Sequence, residues 1–589
     1  MNKIILAGFL LLFFSSLDAM SKKVSCEQID DWEYNATKTS HPKMTRNMAN
    51  TSIKQSMGMP APVAMKMDAS LGFSVGGAKD ANNFYENIKA GYLPKMEAMT
   101  YEGIFYDHYF ETKEDKHCQN LFCPSYSTAI AQNPFSQEAE YYLSVGLNSN
   151  IKESDFARKK LNIVVVLDIS GSMGAPFNRY YYDKNQKVTL SKEERKKSKM
   201  TIANEAIVSM MDHLKEKDTL GVVLFDNQAY KAKPLRSVKS TDTEAIKKHI
   251  LSLKEKGGTN WSAGYKAGVA LFDTLEAGFK NPTEYENRII FLTDAMPNRG
   301  ELNQNGLFAI AKKASDKHIY TTFIGIGVDF NNDLVEAVSK TKGANYYAIH
   351  SSKAFKKRLD EEFDYMVTPL VFDLKLTLDS KDFSIEAVYG SPEANRATGE
   401  LMVVNTLFPS PTDETGSRGG VIVLKLKKHA SSNKLNLHVS YHDRAGKSYQ
   451  VTKTASFKEG IYHDNKSIQK AILLSRYGDL MRNFTLDMRK GCNDNIPTPP
   501  FMTLKRSCSI YPPERPEFAY IKTWERKSCP LEVSAGYQKI FSLFAHYFQA
   551  QMMTIGDTSL QKEFTLLQTL SKTKTSNQNK VDDWQGMQR

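Results

Sequence analysis

The segment IVVVLDISGSMGAPF, from Ile163 to Phe177, joins the pattern of a buried strand to a polar turn. Every position from Ile163 to Leu167 is apolar and most are β-branched, which is typical of a strand in a parallel sheet covered on both faces. The apolar run stops at Asp168, and serines follow at alternate positions, Ser170 and Ser172. Three oxygen-bearing side chains at the end of a buried strand predict a polar site at the carboxyl edge of the sheet.

Strand and helix patterns alternate from Asn162 to about Met366. Three further apolar stretches, LGVVLF, RIIFLTD and IYTTFIGIG, are typical of buried strands, and apolar residues spaced by four predict an amphipathic helix between Met200 and Lys217. Strands separated by helices indicate a parallel sheet with helices on both faces. We therefore predict an α/β domain with a doubly wound, mostly parallel, Rossmann-like sheet at residues 160–367.

The segments on either side of this domain have different patterns. Residues 69–155 mix short helix and strand patterns, and we predict a small N-terminal α+β module there. From Pro369 the apolar period changes to two, which predicts an antiparallel β-sandwich at residues 368–460. An apolar stripe at helical spacing predicts a helical C-terminal region at residues 461–575, and the tail at 576–589 is predicted to be disordered.

The N-terminus has the pattern of a secretory signal peptide. Lys3 precedes an apolar run from Ile4 to Phe14, and small residues follow, so we predict a signal at residues 1–19 that is cleaved after Ala19. The run is too short for a comfortable transmembrane helix, although an uncleaved anchor is the alternative. We predict a flexible tether at residues 20–68, no transmembrane span after signal cleavage, and a secreted, periplasmic or cell-envelope location.

The charge and cysteine content bound the partners and the compartment. Lys and Arg number 78 against 66 Asp and Glu, a formal charge of +12. The densest basic run, Lys192–Lys199, also contains two glutamates, and a solvated surface is the simplest interpretation. No nucleic-acid motif is present, so no nucleic-acid partner is expected. The six cysteines are an even number that suits an oxidising compartment, and a Cys118–Cys123 bridge is our best single expectation.

Two later segments bring further oxygen-bearing side chains to the same edge of the predicted sheet. Asp294 ends the strand RIIFLTD, and Thr259 lies in the loop KGGTNW. Two carboxylates and three hydroxyls suit a hard divalent cation, and Mg²⁺ takes about six oxygen ligands, some of them water. Five protein ligands would leave one coordination position of the ion for a partner. The predicted metal ligands are Asp168, Ser170, Ser172, Thr259 and Asp294, with Mg²⁺, or Mn²⁺ or Ca²⁺, as the ion.

A simpler interpretation exists for each motif taken alone. An Asp-x-Ser-x-Ser pattern is common, and Asp or Ser at the end of a strand is often a helix cap. The joint occurrence of this pattern with GGT on a later loop and LTD at the end of a later strand favours the metal site. Gly171, Gly257 and Gly258 allow the backbone to turn tightly around an ion.

LDISGSM, GGTN and FLTDAMPN resemble, in order and spacing, the motifs of von Willebrand factor A domains with a metal-ion-dependent adhesion site. In that family the equivalent residues bind Mg²⁺ or Mn²⁺, and a carboxylate of the partner often completes the coordination shell. The resemblance implies the same roles for all five predicted ligands. More loosely, the flanking segments resemble secreted bacterial proteins with an N-terminal module, an A domain, a β-sandwich and a helical end, which implies architecture rather than activity.

An insertion at residues 174–197 separates the serine turn from the first helix, and we expect it to project beside the ion. Tyr180, Tyr181 and Tyr182 are side chains that binding surfaces favour, because they offer large amphipathic contacts at low entropic cost. The alternative is a surface loop with one buried tyrosine. Trp261, beside Thr259, is expected to join the same surface or to pack beneath it.

These observations favour a secreted binding or adhesion protein over an enzyme. In this interpretation the ion captures an acidic group of a protein or peptide partner and no covalent chemistry follows. One alternative is a purely structural ion in an envelope scaffold protein. A less favoured alternative is a metal-dependent hydrolase, which needs a general base near the metal, and the three loop motifs LDISGSM, KGGTNW and FLTDAMPN contain no extra His or Glu. The partner's identity and the oligomeric state are not determined by the sequence.

Overall fold

The computed structural model describes residues 28–36, 70–79, 81–112, 119–180, 198–349, 362–379, 382–391, 401–430, 433–490, 492 and 528–573. The strands, in chain order, are β1 (Ser70–Val75), β2 (Gly77–Ala78), β3 (Tyr109–Phe110), β4 (Phe122–Gln132), β5 (Ala139–Lys152), β6 (Lys160–Asp168), β7 (Thr219–Phe225), β8 (Ala229–Ser237), β9 (Tyr285–Thr293), β10 (Ile319–Ile326), β11 (Asn345–Ile349), β12 (Val371–Asp379), β13 (Phe383–Tyr389), β14 (Leu401–Ser410), β15 (Thr412–Asp413), β16 (Gly416–Arg418), β17 (Val421–Lys428), β18 (Lys434–Asp443), β19 (Ser448–Ser456) and β20 (Tyr462–His463). The helices are α1 (Asn82–Lys89), α2 (Tyr101–Tyr106), α3 (Lys199–Met211), α4 (Thr243–Leu251), α5 (Trp261–Leu271), α6 (Gln304–Asp316), α7 (Asn332–Ser339), α8 (Lys466–Arg489), α9 (Ala535–Ile555) and α10 (Gln561–Lys572).

The central domain is the predicted doubly wound sheet. Seven strands lie in the order β2-β11-β10-β9-β6-β7-β8, and each neighbouring pair is parallel except β7 with β8. Strand β6 lies between β9 and β7, with Leu167 opposite Leu292 and Asp168 opposite Phe225. The α/β fold class is therefore confirmed, and the stretch quoted first occupies an interior strand.

Both faces of this sheet are covered, which explains why β6 is apolar at successive positions. Ile163, Val165 and Leu167 pack into one hydrophobic core with residues of α3 and α4. The alternate residues, Val164 and Val166, pack into a second core with residues of α5, α6 and α7. Successive side chains of a strand point to opposite faces, so helices on both sides require apolar residues of both parities.

The segments before and after the central domain pair with each other in one sheet, whereas the sequence predicts two separate modules. The ten-stranded sheet has the order β13-β17-β5-β1-β14-β12-β18-β19, with β4 between β5 and β20. Strand β1 pairs with β14, and β5 pairs with β17. Phe383 of β13 stacks at 5.2 Å on Phe457, which follows β19, so the two ends of the order share one core. Because strands before the central domain pair with strands after it, backbone groups are hydrogen-bonded that would lie at an open strand edge in either segment alone.

The N-terminal residues also extend the central sheet and contact its opposite edge. Strand β2 adds a short parallel strand beside β11. Residues 28–36, which fall within the predicted tether, lie against β8 and α4: Asp31 pairs with the buried Lys233 at 3.3 Å, and Trp32 stacks on His249 at 5.2 Å. This part of the segment is therefore docked on the domain rather than free. The other tether residues lie outside the described ranges.

Helices α8, α9 and α10 form the predicted helical region and share a core with α1 and α2. Among the helices of the described residues, none combines the length and the hydropathy needed to cross a bilayer. A disulfide joins Cys492 to Cys529. Cys118 lies outside the described residues, so the expected Cys118–Cys123 pairing stays a prediction. The predicted signal peptide and the tail also lie outside these ranges.

Candidate functional site

Asp168 ends β6 and is fully buried, with both carboxylate oxygens fixed by neighbours. The amide of Ser170 donates to Oδ1 at 2.8 Å, and the hydroxyl of Thr293 donates to Oδ2 at 2.6 Å. The hydroxyl oxygens of Ser170 and Ser172 lie 3.1 Å apart. Burial and, after it, the negative charge of Asp294 raise the pKa of Asp168 to about 7. The strand end therefore presents one oriented carboxylate beside two hydroxyls, in surroundings that disfavour negative charge without a counter-ion.

The glycine loop before α5 is hydrogen-bonded to this serine turn. The amide of Gly171 donates to the carbonyl of Gly257 at 3.0 Å, and the amide of Lys256 donates to the carbonyl of Ile169 at 2.6 Å. Gly257 has a φ of 72°, in the left-handed region that glycine adopts without strain. A Cβ on Gly171 would lie only 3.3 Å from the carbonyl oxygen of Gly257. The two loops therefore approach closely at Gly171, where little room remains for a side chain.

Thr259 connects this loop to the segment that follows β9. Its backbone amide donates to Oδ1 of Asn298 at 3.0 Å. Its carbonyl accepts from the amides of Asn298 and Arg299, at 3.0 and 3.1 Å. Thr259 itself is 1% exposed. Three segments that are far apart in sequence are therefore held together by backbone hydrogen bonds at one edge of the sheet.

Asp294, directly after β9, is fully buried and only partly satisfied. Its Oδ2 accepts from Lys199 Nζ at 3.1 Å, while Oδ1 has no hydrogen-bond partner among the described residues. The next residue, Ala295, has a φ of 54°, which an L-residue rarely adopts. Strained backbone of this kind occurs at ligand sites, where the surrounding structure enforces it. Buried polar oxygens are usually hydrogen-bonded, so a buried Oδ1 without a donor is consistent with an oxygen that coordinates a cation.

The five predicted ligands fit a hard divalent cation by their chemistry. The site provides two carboxylates and three hydroxyls, and all donors are oxygen. No group of three or more His, Cys, Asp or Glu side chains arranged for a metal occurs among the described residues. Any cation here must therefore depend on the hydroxyls of Ser170, Ser172 and Thr259. We conclude that the donor set fits Mg²⁺ or Mn²⁺, with water in the remaining positions.

The structure corrects two of the four residues predicted for a partner surface. Trp261 is fully buried and stacks on Tyr265 at 4.9 Å, so it packs beneath the loop and cannot contact a partner. Tyr180 is 9% exposed, and its hydroxyl donates to Asn87 at 3.0 Å while its ring packs on Tyr92. Both rings fill space between elements, because large aromatic side chains gain more from burial than from exposure. Tyr181 and Tyr182 lie outside the described residues.

Lys199 is a site residue that the sequence interpretation missed, because it belongs to a basic run expected to be solvated. It is fully buried at the start of α3 and forms ion pairs with Asp294 and with Asp329, the latter at 2.7 Å. The sequence did contain a feature that indicates the burial of Lys199. Lys199 directly precedes the apolar helical stripe and lies three residues before Ile202, so it shares the buried face of the helix.

Comparison with known proteins agrees with this fold. Residues 162–361 match the family model of the von Willebrand factor type A domain. The inter-alpha-trypsin inhibitor heavy chain H4 of Homo sapiens is 22% identical over 211 residues, which is 36% of this chain and 20% of that protein. Heavy chain H2 of Mus musculus is 26% identical over 259 residues, 44% of this chain and 25% of that protein. The matches thus span a quarter or less of these relatives.

Two further proteins are similar to the chain. An uncharacterized protein of Synechocystis is 29% identical over 199 residues, which is 33% of this chain and 40% of that protein. Among solved structures, the von Willebrand factor type A protein from Catenulispora acidiphila has 16% identity and a TM-score of 0.39, and the match covers 63% of this chain and 83% of that one.

Proposed function

We propose that this chain, whose residues 162–361 match the family model of the von Willebrand factor type A domain, is a secreted binding protein that holds a divalent cation and captures an acidic group of a protein or peptide partner. The observation that carries the proposal is the buried Oδ1 of Asp294, which lacks a hydrogen-bond partner among the described residues and lies at the same edge of the sheet as the serine turn. A cation coordinated there would retain a position open to solvent, because Ser172 is partly exposed and Gly257 is exposed.

The rim of the site favours an anionic partner. Arg299 is exposed, and a Cβ placed on Gly258 would lie 3.0 Å from its Nε, so the side chain crosses the glycine loop next to Thr259. A guanidinium beside the open position of a cation can donate charge-assisted hydrogen bonds to the second oxygen of a carboxylate. The ion and Arg299 together would give the directional capture that a lone lysine lacks.

Secretion and a purely binding role belong to the same proposal. The apolar segment at residues 4–14 supports export, and the Cys492–Cys529 disulfide suits an oxidising compartment. A phosphatase and peptidase assay with Mg²⁺ tests the binding role, since turnover that disappears in Asp168→Ala would identify a hydrolase instead.

The capture function is tested with a random peptide library displayed on phage. We expect peptides selected by the wild type in Mn²⁺ to be enriched in Asp or Glu and to be released by EDTA. Arg299→Ala should keep the cation affinity but weaken binding of a selected peptide about tenfold or more, as expected for losing a charged hydrogen bond. Peptides without acidic residues, or peptides that stay bound in EDTA, would contradict a cation-mediated capture of carboxylates.

A further inference from the structure

Lys199 places a fixed positive charge beside the proposed metal ligands. Its Nζ lies 3.1 Å from Oδ2 of Asp294 and 2.7 Å from Oδ1 of Asp329, and all three side chains are fully buried or nearly so. Asp329 follows β10, so the lysine joins the ends of two neighbouring strands. A buried ammonium is costly unless it is paired, and here the two carboxylates provide that pairing.

The surrounding backbone is shaped to hold this lysine. Its own amide donates to the carbonyl of Ala175 at 2.9 Å. Gly327 has a φ of 95°, and a Cβ there would lie 2.7 Å from Cε of Lys199. The loop that carries Asp329 is fixed in turn by α1, since Nδ2 of Asn87 donates to the carbonyl of Val328 at 2.9 Å. The position of the charge is therefore set by packing from two domains.

The location of the lysine is unfavourable for the helix that carries it. Lys199 is the first residue of α3, where the helix dipole places partial positive charge and favours anions. Helix stability thus gives no reason for a cation at this position. The carboxylates do give one, because Asp168 and Asp294 repel each other across the site when no ion separates them.

We propose that Lys199 is the resident counter-ion of the metal site: it neutralises Asp294 when the ion is absent and weakens the affinity for divalent cations by like-charge repulsion. This inference rests on the proposed function, since it concerns the same site. Lys199 already neutralises Asp294 when the ion is absent, so binding of the ion releases less free energy. The ion can therefore bind and leave reversibly. A site of this kind responds to the concentration of the cation rather than holding it permanently.

The opposite sign is expected if Lys199 is only a structural ion pair. In that case its loss would misplace Asp294 and weaken cation binding. The electrostatic proposal predicts that Lys199→Met tightens Mg²⁺ binding about tenfold or more, because a positive charge beside the ion is removed. It also predicts a lower unfolding temperature without Mg²⁺ and a larger rise on adding Mg²⁺, because Asp294 and Asp329 then lack their cation.

The experiment is calorimetric titration of the full chain with MgCl₂, together with thermal unfolding in EDTA and in Mg²⁺.

Asp329→Asn should weaken Mg²⁺ binding, since the lysine charge then loses one of its two anions. Lys199→Met/Asp329→Asn, which keeps the net charge and removes the second buried carboxylate, should still bind more tightly than the wild type, and it decides the matter if the single lysine variant does not fold. As a control, Lys312→Met removes one positive charge from the exposed face of α6. This variant is expected to bind Mg²⁺ with the affinity of the wild type.

The outcomes separate the two proposals. If the wild type binds Mg²⁺ and Lys199→Met, or the double variant in its place, binds it equally or more weakly, the counter-ion proposal is overturned and the metal site stands. If neither the wild type nor any of the variants binds Mg²⁺, the metal site itself is wrong and both proposals fall.

Discussion

Asp168→Ala is expected to remove measurable Mg²⁺ binding while the domain stays folded. The carboxylate is held in place by Ser170 and Thr293, each of which donates to one of its oxygens. Outer partners of metal ligands are worth 10- to 100-fold in affinity, so losing a charged ligand should cost at least about a hundredfold. Calorimetric titration with MgCl₂ measures this directly.

The fold should tolerate Asp168→Ala because the buried carboxylate does not stabilise the folded state when no ion is bound. Burial and the charge of Asp294 raise the pKa of Asp168, so its charged form destabilises the folded state. Alanine leaves two donors unsatisfied, at a cost of about 1–3 kcal/mol each, which the lost repulsion partly offsets. Asp168→Asn, which keeps the shape of the side chain and loses the charge, should also lose Mg²⁺ binding.

Asp226 offers a matched control at the same edge of the sheet. It follows β7 and is 3% exposed, it is not among the five proposed ligands, and its oxygens accept hydrogen bonds from Tyr230 and from the amide of Gln228. Asp226→Asn should therefore bind Mg²⁺ with nearly the affinity of the wild type. Wild-type affinity in Asp168→Ala, or equal losses in the Asp168 and Asp226 variants, would show that the ligand assignment is wrong.

Trp261→Ala should be the most destabilising single substitution near the site. The indole is fully buried and lies 4.9 Å from the ring of Tyr265 and 5.0 Å from that of Phe291, between α5 and the central sheet. Replacing a buried tryptophan by alanine leaves a large cavity and costs about 3–5 kcal/mol of the free energy of unfolding. Urea unfolding, followed by circular dichroism, measures the loss.

Trp261→Phe separates packing from partner contact. Phenylalanine retains much of the buried ring contact, so this variant should lose less stability than the alanine variant and should capture acidic peptides as the wild type does. A loss below about 1 kcal/mol in Trp261→Ala, or a Trp261→Phe protein that folds but no longer captures peptides, would place the side chain on the binding surface after all.

The fold of the central domain and the composition of the candidate site follow from local sequence signals. A run such as Ile163–Leu167 is apolar at both parities, which only a strand covered on both faces requires. The carboxyl ends of neighbouring parallel strands meet at one edge, so Asp168 and Asp294 had to lie near each other once β6 and β9 were adjacent. The backbone contacts of the Thr259 loop then complete the arrangement.

Other features depend on contacts between distant segments, which patterns do not record. The alternation after Pro369 predicts strands there, but it does not say that strands before the central domain, such as β1 and β5, pair with strands after it, such as β14 and β17. The burial of Lys199 depends on Asp329, which is 130 residues away in sequence. Polar and charged side chains are mostly exposed, so a buried lysine becomes visible only when its partners are placed.

A crystal of the full chain soaked in Mn²⁺ shows whether the five oxygen-bearing side chains converge on one divalent ion. Anomalous scattering locates manganese independently of any assumed ligand. We expect one strong anomalous peak between Asp168, Ser170, Ser172, Thr259 and Asp294, and none in crystals of Asp168→Ala. A well-ordered site without such a peak, or manganese bound only elsewhere on the chain, would show that these five side chains do not form a metal site.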